Sequence, residues 1–208
     1  MRSLMYTDYI LRLERGQNEQ KSILWMNVVL VAALLAGMVF PMADSNVQAK
    51  QKKVLVAYFS ATGTTKSAAL KIKKAAKGKL YEIKAEDPYT EADLNYDNDN
   101  CRANKEQNTE SVRPKVKGTV KNIRSYDVIF VGYPIWWGKE PKIIRTFLEK
   151  YNLKGKKIVP FCTGGGSGIS GSMKGVRASA KGAKVQSGAD LTDSSTAGVA
   201  KWAKKKVK

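Results

Sequence analysis

The chain has 208 residues, 43% of them hydrophobic, which is enough for one domain with a sizeable core. It has no histidine and only two cysteines, Cys101 and Cys162. This excludes His-based metal sites, Ser-His-Asp triads, Cys-His dyads and a disulfide scaffold, leaving at most one bridge. The formal net charge of +19 fits either a well-solvated surface or an anionic partner. Nucleic acid is not expected, because the basic residues are scattered rather than clustered with aromatics.

The first segment reads as an address. Residues 23–40, ILWMNVVLVAALLAGMVF, are apolar apart from Asn27, follow Lys21 and precede Val47-Gln48-Ala49. That pattern predicts a secretory signal cleaved after Ala49, or an uncleaved membrane anchor, with residues 50–208 as the folded domain. The first 49 residues carry four basic and four acidic side chains, so the whole +19 belongs to that domain.

Residues 54–59 form an apolar, β-branched run and predict a buried strand. Residues 65–76 space apolar side chains among lysines before Gly78, as an amphipathic helix with a glycine stop does. A strand with one polar side is expected at 80–85. A long polar stretch, 86–117, follows and is expected as a functional or partly disordered loop. A short helix is expected at 118–125. Residues 127–133, DVIFVGY, and 157–162, KIVPFC, predict two further apolar strands, and 142–151 a helix between them. A helix at 172–181, a weaker strand at 184–191 and a last helix capped by Thr192 or Asp193 complete the pattern. Strands alternating with helices, with inner strands apolar on both faces, imply an α/β fold with a covered parallel sheet.

In such folds ligands bind beyond the carboxyl ends of the strands. Three loops lie there. In the first, Ser60, Thr62, Thr64 and Thr65 offer four hydroxyls around Gly63 at a strand-to-helix junction. A helix cap needs one hydroxyl; four of them beside a helix N-terminus suit an anion, best a phosphomonoester. The loop is not a Walker A motif, since Thr65 stands where Lys66-Ser67 would require a glycine. The second loop places Trp136 and Trp137 between Pro134-Ile135 and Gly138. Adjacent residues leaving a strand cannot both face the core, so one of them, Trp137 ahead of Trp136, is expected to stand exposed for stacking on a flat ring. The third loop, Thr163-Gly164-Gly165-Gly166-Ser167, reads as a linker or as backbone lying close against a planar ligand.

A phosphate cradle, an aromatic plate and a glycine wall in this order resemble the flavodoxin family, and particularly its bacterial members with GYPIWWG and CTxGGSG motifs. The likeness spans the chain from about Lys52 to Val207. It implies a flavodoxin-like three-layer fold, a five-stranded parallel sheet of order 2-1-3-4-5, and FMN as cofactor. By resemblance, Ser60, Thr62, Gly63, Thr64 and Thr65 hold the phosphate. Pro134, Ile135, Trp136, Trp137 and Gly138 cover one ring face, and Thr163, Gly164, Gly165, Gly166 and Ser167 line the pyrimidine edge. Two departures stand out: no aromatic residue in the third loop, and a basic rather than acidic chain.

These readings predict an exported or membrane-attached, monomeric FMN protein that transfers electrons, with no catalytic side chain and no metal. The alternative is an NAD(P)H-dependent flavin or quinone reductase using the same site. Redox partners, expected to be acidic, and an anionic membrane or wall surface are the expected contacts. Lys66, Lys139, Lys142 and Arg145 near the loops are expected to make the flavin potential less negative than in an acidic carrier.

Overall fold

The structure is a computed structural model and describes residues 51–208 apart from Gly165. The signal or anchor expected at 1–49 lies outside the described residues.

The first strand, β1 (Val54–Tyr58), is buried along its whole length. Its side chains alternate between two cores: Leu55 and Ala57 belong to one, Val54, Val56 and Tyr58 to the other. Helix α1 (Thr64–Ala76) follows and ends at Lys77 in the left-handed region. Strand β2 (Lys79–Glu82) is next, and β3 (Lys84–Ala85) pairs antiparallel with β4 (Val116–Lys117). The strand expected at 80–85 is therefore divided at Ile83, whose buried side chain joins the first core.

The polar stretch 86–117, expected as a functional or partly disordered loop, carries short helical elements. It contains a 3₁₀ turn at Ala92–Leu94 and helix α2 (Arg102–Asn108). Asn104, Glu106 and Gln107 of α2 are buried with Ala103, and Cys101 Sγ accepts the Asn104 N–H at 3.4 Å. The helix expected at 118–125 is only a 3₁₀ turn, Ile123–Ser125.

Strand β5 (Val128–Pro134), helix α3 (Lys142–Glu149), strand β6 (Lys157–Thr163) and helix α4 (Met173–Ser179) follow. The last expected strand appears as two short pieces, β7 (Lys184–Val185) and β8 (Ala189–Asp190), both parallel to β6. Gly188 lies between them, where a Cβ would sit 2.7 Å from Pro160 O, so the chain passes β6 too closely for a side chain. Helix α5 (Thr196–Val207) is capped by Ser195, which accepts the Gly198 N–H at 3.1 Å, rather than by Thr192 or Asp193.

The main sheet runs β2-β1-β5-β6-β7, with β8 also on β6 and every pair parallel. By position this is the expected 2-1-3-4-5 order, the fifth place being shared by β7 and β8. Helices α1 and α5 pack together on one face, α3 and α4 on the other. Ala68, Ala69, Ile72, Val199 and Ala203 fill one core; Ile143, Ile144, Phe147, Leu148 and Val176 fill the other. Cys101 and Cys162 are both buried and unpaired. A parallel sheet covered on both faces leaves its strand ends as the places where loops gather.

Candidate functional site

The three loops meet. Thr65 Oγ1 lies 2.7 Å from Thr163 Oγ1 in a buried contact that ties the first loop to the third. The Ile135 N–H donates to Thr163 O at 3.0 Å, tying the second loop to the third. A groove of about 420 Å³ runs between Tyr96, Ile135, Trp137, Gly138 and Ser167.

In the first loop the four hydroxyls divide their work. Ser60 Oγ accepts the N–H groups of Gly63 at 3.1 Å and Lys66 at 3.2 Å, so it caps the turn. Thr65 is buried in the tie to Thr163. Thr62 and Thr64 are exposed, with their hydroxyls 3.5 Å apart at the start of α1. Gly63 stands at φ 94°, a conformation that glycine adopts without strain, and the space where a Cβ would point is open. In the first helical turn the Lys66 N–H is taken by Ser60, while the amides of Thr64 and Thr65 have no acceptor within the helix. The loop therefore presents N–H groups, two exposed hydroxyls and a positive helix end to one anion.

The second loop resolves the tryptophan pair. Trp136 is buried and its ring meets those of Phe59 and Tyr89 edge-on, at 5.5 and 5.1 Å. It is a core residue, and the ring-facing role considered for it passes to Trp137, which is half-exposed. Trp136 N–H donates to Lys139 O and Lys139 N–H to Trp136 O, closing a tight two-residue turn over Trp137 and Gly138. Both turn residues have positive φ, 47° and 73°. Gly138 suits such a turn; a bulky tryptophan there is strained by an amount on the order of 1 kcal/mol, of a kind that gathers at functional sites. Tyr96 stacks on Trp137 at 4.2 Å and 15° between planes. Pro134 is half-buried and Ile135 buried beneath this turn.

A buried polar cluster braces the turn from behind. Gln107 Nε2 donates to Trp136 O at 3.0 Å and Glu140 O at 3.2 Å. Arg145 Nε donates to Glu140 Oε1 at 2.7 Å, and Lys142 Nζ donates to Glu110 Oε2 at 2.9 Å. Arg145 also pairs with Glu110. Burial pushes the Glu140 carboxyl up, against the pull of Arg145, while Lys142 and Arg145 hold Glu110 down to about 2. Lys142 and Arg145 thus carry carboxylate partners, which corrects the premise that they act as uncompensated positive charge at the loops. Lys66 and Lys139 remain exposed.

In the third loop, Gly164 and Gly166 have positive φ and open space on the Cβ side. Gly165 lies outside the described residues. Gly164 N–H donates to Thr192 Oγ1 at 2.8 Å, and Thr192 in turn is held by Asp190. Thr163 is buried, and Ser167 is exposed. Gly171, beyond this loop, approaches the second so closely that a Cβ would sit 2.3 Å from Gly138 O. Cys162 is fully buried at the end of β6, and burial pushes its thiol up to about 12, so it offers no nucleophile.

Two contributors escape the motif reading: Tyr96, a lone aromatic in an Asn/Asp-rich stretch, and Thr192. The first carries a legible signal, since an aromatic residue amid polar loop sequence has little reason to be there unless it packs on something. Among the described residues no group of acids and cysteines could hold a metal ion. The groove, the half-exposed indole, the open glycine backbone and the helix N-terminus suit a planar ring that carries one phosphate.

Comparison with known proteins agrees. Residues 53–206 match the sequence profile of a flavodoxin family. A crystal structure presented as a flavoprotein from Bacteroides eggerthii is 44% identical, with TM-score 0.70, covering 74% of this chain and 97% of that one. A similar one from Bacteroides uniformis is 39% identical, with TM-score 0.71, covering 74% and 99%. A Lactobacillus acidophilus flavoprotein in complex with FMN is 26% identical, with TM-score 0.57, covering 67% and 93%. Comparison with curated sequences gives no significant match.

Proposed function

From the premise that the chain belongs to the flavodoxin family, we propose that it binds FMN along the three loops and serves as an electron carrier, exported or membrane-attached through its N-terminal segment. The observation that carries this reading is Trp137, held half-exposed at positive φ between Tyr96 and the open third loop. FMN, when bound, supplies the reversible uptake of electrons; the protein supplies binding, orientation and electrostatics. The hydroxyls of Thr62 and Thr64 and the amides of Thr64 and Thr65 hold the phosphate. Trp137 offers its face to the ring, and Gly164 and Gly166 let backbone approach the ring edge. The Gln107–Glu140–Arg145 brace holds the Trp137 turn in place. A redox partner docks at this same edge, because electrons must pass close to the ring.

A second reading is an FMN-dependent NAD(P)H reductase of flavins or quinones. The open space beside Gly164 and Gly166 favours it, since a substrate needs room next to the ring. The test is to load the purified protein with FMN and mix it with NADH or NADPH alone. A carrier turns yellow and leaves the nicotinamide unoxidised until a separate reductase is added. Steady oxidation by the protein alone would overturn the carrier reading in favour of the second. Failure to take up FMN would overturn both.

A further inference from the structure

The surplus positive charge is unevenly placed. In a parallel sheet all strands start at one edge, here the edge opposite the loops. Strand β2 opens on Lys79, β6 on Lys157 and β7 on Lys184, and Lys52-Lys53 leads into β1. Lys157 and Lys184 are direct partners on neighbouring strands. The last turn of α5 arrives at the same edge, where Lys206 Nζ donates to Ser187 O at 2.9 Å. Asp127 interrupts the row, and its carboxylate accepts the Lys53 N–H at 2.8 Å. A shallow depression of about 440 Å³ is lined by Lys52, Lys53, Lys77 and Lys79 together with Gln51, Ser125 and Tyr126. Burial and the nearness of Lys52 and Lys206 both push the Lys157 ammonium down, so these charges repel one another.

The opposite edge is different. Asp87, Asp93, Asp97 and Asp99 lie in the segment that brings Tyr96 to Trp137, and Asp190 and Asp193 lie beside Gly166. Lysines therefore gather at the strand starts, while around the loops acids accompany the exposed Lys66 and Lys139. Like charges on adjacent strands cost folding free energy, so the row is better explained by a partner than by stability. Gln51, the first described residue, lies on the lysine edge.

We propose that the strand-start edge, centred on Lys52, Lys53, Lys79, Lys157 and Lys184, docks on an anionic phospholipid surface and leaves the loop edge facing water. Lysines near such a surface each strengthen attachment about fivefold, and the attraction decays within a Debye length. This proposal does not depend on what the loops bind.

Both cores lie within residues 50–208, and the B. eggerthii chain, matched over 97% of its length by 74% of this one, folds as a domain of that size, so residues 50–208 can be used without the apolar segment. It is mixed with vesicles of phosphatidylcholine alone, or of phosphatidylcholine with phosphatidylglycerol, and sedimented. Binding is expected only to the second kind and is expected to weaken steeply with added salt. Replacing Lys52, Lys53, Lys79 and Lys184 by Gln should weaken it by about 600-fold, given about fivefold per lysine. Replacing Lys84, Lys105, Lys117 and Lys174, away from that edge, should weaken it far less. Circular dichroism confirms that both variants are folded. Equal binding to neutral vesicles, equal loss in the two variants, or tighter binding to a double-stranded DNA fragment at the same salt would overturn the proposal.

Discussion

Trp136 and Trp137 are neighbours in sequence with opposite duties, and their substitution should separate stability from binding. Trp136 is 5% exposed and packs on Phe59 and Tyr89. Trp136→Ala should destabilise the fold by about 3–5 kcal/mol, as other truncations of buried aromatics do. Trp137→Gly removes a strained positive-φ tryptophan and one stacked pair with Tyr96, contributions that oppose each other. Its stability should change by less than about 1 kcal/mol, while FMN affinity falls by ~1–3 kcal/mol. Chemical denaturation and FMN titration of the two variants read these outcomes. Equal loss of stability in both would contradict the assignment.

Glu110 gives a residue-scale prediction in pH. Its carboxyl is held at about 2, below its ordinary 4.5, by Lys142 and then Arg145. A depressed carboxyl contributes stability above its unfolded value and loses it as pH falls through the folded one. Glu140 is displaced upward by burial, so its contribution runs the other way and fades as pH rises. The Glu110 side chain is 78% exposed, which weakens the pair through solvent screening. Glu110→Gln keeps an acceptor for Lys142, which is only 1% exposed, but removes its opposite charge, so it should cost about 1–3 kcal/mol at neutral pH. That deficit should close as pH falls from 4.5 towards 2, the range set by its displaced carboxyl. Urea unfolding across that range checks it, and a deficit constant with pH would contradict it.

At the scale of elements, the site depends on contacts between loops that are distant in sequence. Gly171 follows the third loop and lies against Gly138 of the second. Gly171→Ala would place its Cβ 2.3 Å from a backbone oxygen, which cannot move unless the Trp137 turn moves. It should weaken FMN binding by about 1–3 kcal/mol, an overpacking cost felt at the turn. Ala at Gly63, where nothing lies within 4 Å, meets no clash and is limited by its positive φ alone. Calorimetric titration of both variants compares the two costs, and an unchanged affinity in Gly171→Ala would contradict the predicted contact.

The strands and their loops were legible because buried parallel strands read as apolar runs that end abruptly in Gly, Ser and Thr. The helix α2 was not legible. Its buried polar side chains are Asn104, Glu106 and Gln107, whose burial rests on hydrogen bonds to backbone and to partners far along the chain, and no hydrophobic period announces that. The division of the last strand was also hidden, because it follows from the closeness of Gly188 to Pro160 and not from any local propensity. The direction of each tryptophan could be narrowed but not assigned, since it depends on a turn closed by Lys139.

For the whole molecule, net charge misleads where distribution informs. The total of +19 suggests a positive field at the loops, yet Lys142 and Arg145 are paired with Glu110 and Glu140, and acids flank the groove. The midpoint potential of the FMN-loaded protein should thus move only modestly between low and high salt, because Lys142 and Arg145 are close to neutral with their carboxylate partners and only the exposed Lys66 and Lys139 remain to be screened near the loops. A redox titration at two ionic strengths tests this, and a marked shift would restore the positive field.

The most direct test is a titration of the flavin-free protein with FMN and, separately, with FAD, following tryptophan fluorescence in the wild type and in Trp137→Gly. The account predicts tight FMN binding with strong quenching, much weaker FAD binding, and loss of most of the quenching in the variant. FAD binding as tight as FMN, or quenching unchanged without Trp137, would contradict a one-phosphate site built around that residue.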